Sequence, residues 1–249
     1  WKIVVLEIIA LLFGTLAYGA SLPISTGYDY TNYGTYPLGV QDNYWINIAS
    51  YPQTTSAIAP SYTVSYGPPL ANSQWINFHS TNASDSSVNP SNPGYTIYRK
   101  CFCLNAGYTN PTLSFVARAD DTLQVWLNNQ TNTLLSPQFA LGPPISSLPS
   151  TPAMFRTGKN CIYALVEDVF GGATAFDLSG TVSATTGLSP IPAAGTSQTF
   201  ACGCNTGPNI NPDERGFALG DDDSGVIAAL IQYAEERRLT YVHGPRRRR

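Results

Sequence analysis

Residues 112–118 and 122–127 alternate apolar and polar side chains. In the second run Leu123, Val125 and Leu127 fall on one side, and Thr122, Gln124 and Trp126 on the other. That period of two marks a half-buried strand. Ala119-Asp120-Asp121 separates the runs, and Asn128-Asn129 supplies turn chemistry after them. The pattern predicts a β-hairpin-like unit with an acidic bend and Trp126 on its outer face. Short β-branched and aromatic runs recur at 44–48, 62–66, 75–78, 95–104, 161–166 and 175–182. Gly, Pro, Asn and Ser punctuate them, most densely in a long loop over 81–94 and a surface excursion over 139–155. No helical period shows before residue 220, so the chain reads as an all-β sandwich or jelly roll.

The two ends differ in pattern from this middle. Residues 1–20 combine Lys2, an apolar run and the small-x-small step Ala17-Tyr18-Gly19, which predicts an export signal. Glu7 and Gly14 interrupt the run, and a retained membrane anchor is the rival reading. Residues 189–212 form a Pro/Gly/Thr linker carrying Cys-Gly-Cys. In the tail, 213–249, Asp221-Asp222-Asp223-Ser224 precedes the apolar stretch that begins at Val226, Arg237-Arg238 closes it, and Gly244-Pro245 follows. This predicts a short C-terminal helix. The bland reading of the tail is solvated or out-of-frame sequence, and its four terminal arginines are a weak polyanion contact. The β domain therefore spans 21–188, and the chain is expected to be secreted or held at the cell surface.

Composition narrows the function classes. Charged residues make up 12% of the chain, about half the usual ~25%. With a formal net charge of -3, nothing supports nucleic-acid binding. Membrane contact is confined to residues 1–20, if they are uncleaved. Cys101, Cys103, Cys161, Cys202 and Cys204 are too closely spaced in pairs for structural zinc. In an exported chain they predict disulfides. Cys101 and Cys103 lie two apart in a strand, on the same face, so each seeks a partner on a neighbouring strand. Cys161, Cys202 and Cys204 are the candidates, and one of the five is odd.

The catalytic inventory is thin: between 21 and 200 there is one histidine, His79, and one glutamate, Glu167. His79 has no nucleophile motif beside it. A glycosidase pair would draw on Asp120, Asp121, Glu167, Asp168 or Asp177. Asp120-Asp121 has three readings: a plain bend, a Ca2+ site completed by loop carbonyls and asparagines such as Asn128, or direct hydrogen bonding to sugar hydroxyls. Trp126, if solvent-facing, is a stacking platform for a pyranose ring. Alternatively Trp45, Trp75 and Trp126 fill the core. Asn82 and Asn129 head N-glycosylation sequons in predicted loops; they matter only where the host glycosylates exported chains, and in a bacterium they are chance matches.

Six motifs occur in order: G-V-x-D-x-x-W at 39–45, A-N-S-Q-W-I at 71–76, G-Y-T-I-Y-R-K-x-F at 94–102, A-D-D-T-L-Q-V-W-L-N-N at 119–129, F-R-T-G-K-N-C-I-Y-A-L-V-E-D at 155–168 and A-F-D-L-S-G-T-V at 175–182. The set resembles the galactose-binding-domain-like β-sandwich of exported bacterial surface proteins that carry sorting signals. The resemblance covers about 39–184. It implies an antiparallel jelly roll of eight or nine strands, with Cys101 or Cys103 close to Cys161. The cysteines themselves depart from the family pattern, and no sorting signal is legible in the tail. A weaker similarity, confined to Asp120-Asp121 and the strand after it, is to PA14-type adhesin domains, where an Asp-Asp step binds calcium beside a sugar. The function implied is an exported, non-catalytic carbohydrate-binding or adhesion module whose partner is a glycan. The alternatives are a self-associating subunit of a matrix, surface layer or fibre, and an accessory region of a glycoside hydrolase. Fold alone does not choose among them.

Overall fold

The computed structural model describes residues 20–51, 59–78, 94–171, 174–188 and 221–243. The expected signal or anchor over 1–20 lies outside them, save Ala20. So do His79, Asn82, Cys202, Cys204 and the linker. The chain is mostly β and antiparallel, with β1 (Ala20–Pro23), β2 (Tyr28–Asp29), β3 (Gly34–Thr35), β4 (Gln41–Tyr51), β5 (Ala59–Thr63), β6 (Ile76–Asn77) and β7 (Gly94–Thr109). Then come β8 (Thr112–Asp120), β9 (Thr122–Leu127), β10 (Thr133–Phe139), β11 (Ile145–Ser146), β12 (Gly158–Asp168), β13 (Ala175–Ala184), β14 (Thr186–Leu188) and the helix α1 (Asp221–His243). Fourteen strands among the described residues exceed the eight or nine expected. Two-residue bridges such as β2, β3, β6 and β11 are too short to leave a periodic trace. The helix, at 23 residues, is longer than the short one predicted.

Twelve strands join in one sheet, in the order β10-β9-β12-β7-β4-β5-β6-β13-β8-β11, with β1 on β13 and β14 on β7. Its two halves share one core. From the β9 half come Leu123, Val125, Leu127, Ile162, Ala164, Val166, Tyr98 and Phe102; from the β8 half come Leu113, Phe115, Ala117, Ala119, Phe176, Leu178 and Val182. Alternation along each strand sends these side chains inward from opposite sides.

The expected hairpin of β8 and β9 does not form. β8 pairs with β13 and β11, and β9 with β12 and β10. The Asp120-Asp121 step is a crossover between the two halves. Period-two alternation reports a half-buried strand but not its neighbour, so two consecutive strands can lie in facing layers.

The second face of the β9 half is covered as well. Ile227, Leu230 and Ala234 of α1, spaced three and four apart, pack on Ile48, Tyr95, Ile97, Trp126, Tyr163 and Leu165. Burying Ile227 and Leu230 contributes about 1.5–3 kcal/mol each. This explains why all six residues of β9 are buried. Among the described residues no helix is long and apolar enough to cross a membrane.

Candidate functional site

Antiparallel register brings Asp120, Asp121, Glu167 and Asp168 to one corner of the sandwich. Asp120 ends β8 opposite Ala175, Thr122 opens β9 opposite Glu167, and Asp168 ends β12. The Asp120–Asp121 peptide bond is cis. The backbone of Asp121 donates to the Glu167 carbonyl at 3.0 Å and accepts from the Ala140 amide at 2.8 Å. Thr174 Oγ1 donates to the Asp120 carbonyl at 3.1 Å. These bonds seat the crossover between β10, β12 and β13.

The two side chains have different surroundings. Asp121 Oδ2 accepts the amides of Val169 and Phe170 at 2.9 and 3.2 Å, which fixes the loop after β12. Asp120 Oδ2 accepts the Tyr66 hydroxyl. Burial raises the Asp120 carboxyl, and its hydrogen bond with the Asp121 carboxyl adds to this. The Tyr66 bond opposes the rise, the charges of Asp121 and Asp168 add to it, and Asp120 is pushed up to about 7. The Tyr66 hydroxyl is itself held well above its ordinary range, by burial first and then by Asp120. The corner thus crowds negative charge into a poorly solvated place.

Apolar surface borders that charge. Phe139 and Phe170 are 61% and 72% exposed, and their rings lie nearly parallel with centroids 6.0 Å apart. Phe139 pairs with Thr122 across the sheet, so both rings belong to the Asp121 neighbourhood. Asp168 and Thr174 also line a small surface depression with Tyr51, Phe78, Tyr95 and Thr96. The alternating pattern could not nominate Phe139 and Phe170. The only trace in the sequence is an exposed-type aromatic inside turn chemistry, Val169-Phe170-Gly171-Gly172.

The other sequence-nominated residues lie elsewhere. Trp126 is 1% exposed and its ring meets Tyr233 of α1 edge-on at 5.8 Å, so it offers no face to solvent. Trp45 and Trp75 are buried too, with Trp45 Nε1 donating to the Ile24 carbonyl at 2.9 Å. Asn128 sits at the far end of β9 from Asp121, about 20 Å away along a strand rising ~3.3 Å per residue. Its Nδ2 donates to the Met154 carbonyl and to Asn160 Oδ1, both at 2.9 Å, and its Oδ1 accepts the Cys161 amide at 2.9 Å. No single site holds both Asp120-Asp121 and Asn128.

The remaining acids are engaged. Glu167 accepts Thr122 Oγ1 at 2.7 Å and two Arg237 nitrogens at 2.7 Å each, a bidentate pair that ties α1 to β12. Asp177, wholly buried, accepts from Ser73, Leu70 and Arg118 at 2.5, 2.8 and 3.2 Å. Cys101 and Cys161 face each other across β7 and β12 and form a disulfide, as the resemblance implies. Cys103 is disulfide-bonded as well. Lys100, 1% exposed, places its Nζ 5.0, 5.5 and 5.8 Å from the rings of Tyr30, Tyr44 and Trp45. Burial lowers it to about 8 against the opposing charge of Asp42. Among the described residues no group of three or more His, Cys, Asp or Glu is arranged to hold a metal. A hard cation at the corner would therefore rest on Asp120 and Asp121. Asp121 Oδ2 already accepts two amides and Asp120 Oδ2 the Tyr66 hydroxyl, so such an ion would share these carboxylates with the bonds that orient them.

No protein-family model matches the chain, and no curated protein matches it. Among solved structures, a variant of a family 29 carbohydrate-binding module is 11% identical, over 67% of this chain and 86% of its own, with a TM-score of 0.33. A second variant of that module, complexed with mannohexaose, is 12% identical over 67% and 92%, with a TM-score of 0.32. The PA14 sugar-binding domain of an RTX adhesin is 13% identical over 40% and 56%, with a TM-score of 0.24.

Proposed function

We propose that the protein is an exported, non-catalytic carbohydrate-binding module whose ligand docks at the Asp120-Asp121 corner beside a calcium ion. The observation that carries this reading is the juxtaposition of crowded carboxyls with two exposed phenyl rings. Carboxyl oxygens take up sugar hydroxyls or a hard cation, and the C–H face of a pyranose packs on an aromatic ring. Asp120 and Asp121 would hold the ion, and water and ligand hydroxyls would complete the six to eight oxygens calcium takes. When bound, the ion supplies positive charge that offsets the carboxyl crowding. The protein's own residues set its position: Tyr66 orients Asp120, and the Val169 and Phe170 amides orient Asp121. Export is supported by the Cys101–Cys161 disulfide, since oxidising compartments are where such bonds persist.

The test is a glycan array and polysaccharide pull-down with the full chain, run with calcium and with chelator. Retention that chelator abolishes, and that Asp120→Asn also abolishes, is the expected result. Retention indifferent to both changes would leave glycan binding standing and remove the corner as its site. No retention in either condition would overturn the binding function.

A further inference from the structure

We infer that Asn129 is an N-glycosylation site, which goes beyond the ligand-binding reading and rests only on the export part of the proposed function. Three observations converge. Asn129-Gln130-Thr131 is a sequon with no proline at its middle position. It occupies the turn between β9 and β10, where Asn129 is exposed. The disulfides of Cys101 and Cys103 mark a chain that matures in an oxidising compartment, where glycosyl transfer to asparagine also takes place.

The turn presents the amide in a defined way. Asn129 Oδ1 accepts three donors from its own turn: the Thr131 amide at 3.0 Å, Thr131 Oγ1 at 2.6 Å and the Asn132 amide at 3.2 Å. Nδ2 donates to nothing among the described residues. Every side-chain hydrogen bond of this exposed residue among the described residues therefore falls on the oxygen, and the nitrogen that would carry a sugar makes none. The Thr131 hydroxyl that completes the sequon is held against the same amide. Neighbouring Asn128 is the opposite case, with Oδ1 and Nδ2 both taken up inside the fold.

The transfer forms a bond from Asn129 Nδ2 to the anomeric carbon of a sugar. The bond from that carbon to the diphosphate of a lipid-linked oligosaccharide breaks, and the amide proton leaves with the departing diphosphate. Nothing is oxidised or reduced. The glycan would stand at the end of β9 away from the acidic corner, leaving that corner open. It would also flank β10, which ends the sheet order, and so hinder strand addition at that edge.

The full chain carrying Asn82→Gln, directed through the secretory pathway of a eukaryotic host, isolates this sequon. The expected product is heavier by one glycan than the bare polypeptide, and a peptide N-glycosidase removes the difference. In heavy-oxygen water the same digestion converts Asn129 to an Asp carrying the label. Adding Thr131→Ala should abolish the glycan, whereas Thr131→Ser should keep it. Should Thr131→Ala fail to fold, peptide mapping of the Asn82→Gln chain and the Thr131→Ser variant decide the matter. An unmodified Asn129 in cells that glycosylate a control secreted protein would overturn the inference.

Discussion

The two ends of β9 carry side chains that look alike in the sequence and behave in opposite ways. At one end Asn128 and Asn160 close a polar clasp. Asn160 Oδ1 accepts the Arg156 amide at 2.9 Å, and its Nδ2 donates to the Arg156 and Gly158 carbonyls at 2.7 and 3.1 Å. Donors and acceptors are matched, and both residues are buried. At the other end Asp120 and Asp121 are crowded together, with Asp120 raised by burial and by its neighbour. Matched polar groups hold a fold together; crowded like charges cost stability and persist where a ligand or ion relieves them. The lesson is that proximity in sequence to a strand end nominates both sets, and only the account of their partners separates them.

The sharpest test of the contrast is at the clasp. Asn160→Ala leaves the Asn128 amide, the Arg156 amide and two carbonyls without their partner, at roughly 2–4 kcal/mol. Urea unfolding should show that loss, while calcium binding and glycan retention of the folded fraction stay unchanged. A clasp variant that kept its stability but lost its ligand would reverse the assignment of the two ends.

The contact between α1 and the end of β12, opposite the start of β9, supplies the next largest effect. Arg237→Met removes the bidentate partner of Glu167, whose side chain is 5% exposed. A buried carboxylate left without its counter-charge, with only Thr122 Oγ1 still donating to it, destabilises the contact by about 2 kcal/mol. The expected signature is faster amide exchange in α1, with the sheet residues beyond its footprint unaffected. If exchange in α1 does not change, the helix is held by its apolar stripe of Ile227, Leu230 and Ala234 alone.

How far the sequence led is clear from these same residues. Leu123, Val125 and Leu127 point into the core as their alternation predicts, because burial on one face repeats every second residue. The fate of Trp126 on the opposite face was not legible, since Tyr233, which covers it, lies more than a hundred residues later. The role of Asn128 likewise depends on Asn160, brought beside it by the pairing of β9 with β12. Asp120-Asp121 was legible as a candidate because two adjacent acids at a strand boundary are visible locally. The crossover they form was not, because alternation carries no information on pairing partner.

A smaller effect belongs to the acid corner, and it has a sign. The folded-state value of Asp120, about 7, lies above the ordinary 3.8. The folded chain therefore holds this proton more tightly than the unfolded chain does. The stability it contributes is complete below about pH 4 and is lost as pH rises through about 7. Asp120→Asn should flatten that fall in thermal melts between those limits. Calcium should raise the melting temperature of the parent protein more at about pH 8 than at about pH 5, where a proton competes for the same oxygens. An equal calcium shift in the Asp120→Asn variant would place the ion elsewhere.

The smallest effect on stability should accompany a large effect on binding, at Phe139 and Phe170. Their rings contact each other but stand mostly in solvent, so Phe139→Ala with Phe170→Ala should shift unfolding by no more than about 0.5 kcal/mol. If the rings form the stacking platform beside the carboxyls, losing both removes about 0.5–1.5 kcal/mol of aromatic contact. That corresponds to a drop in glycan affinity of up to about tenfold. On the proposed reading calcium binding should survive, because the ion would rest on Asp120 and Asp121 while the rings would touch only the sugar. A double variant that binds glycan at full strength would leave the carboxyls as the whole site and make the exposed phenyls mere surface. One that loses calcium along with glycan would show that Phe170 matters through its loop, whose amides hold Asp121 in place.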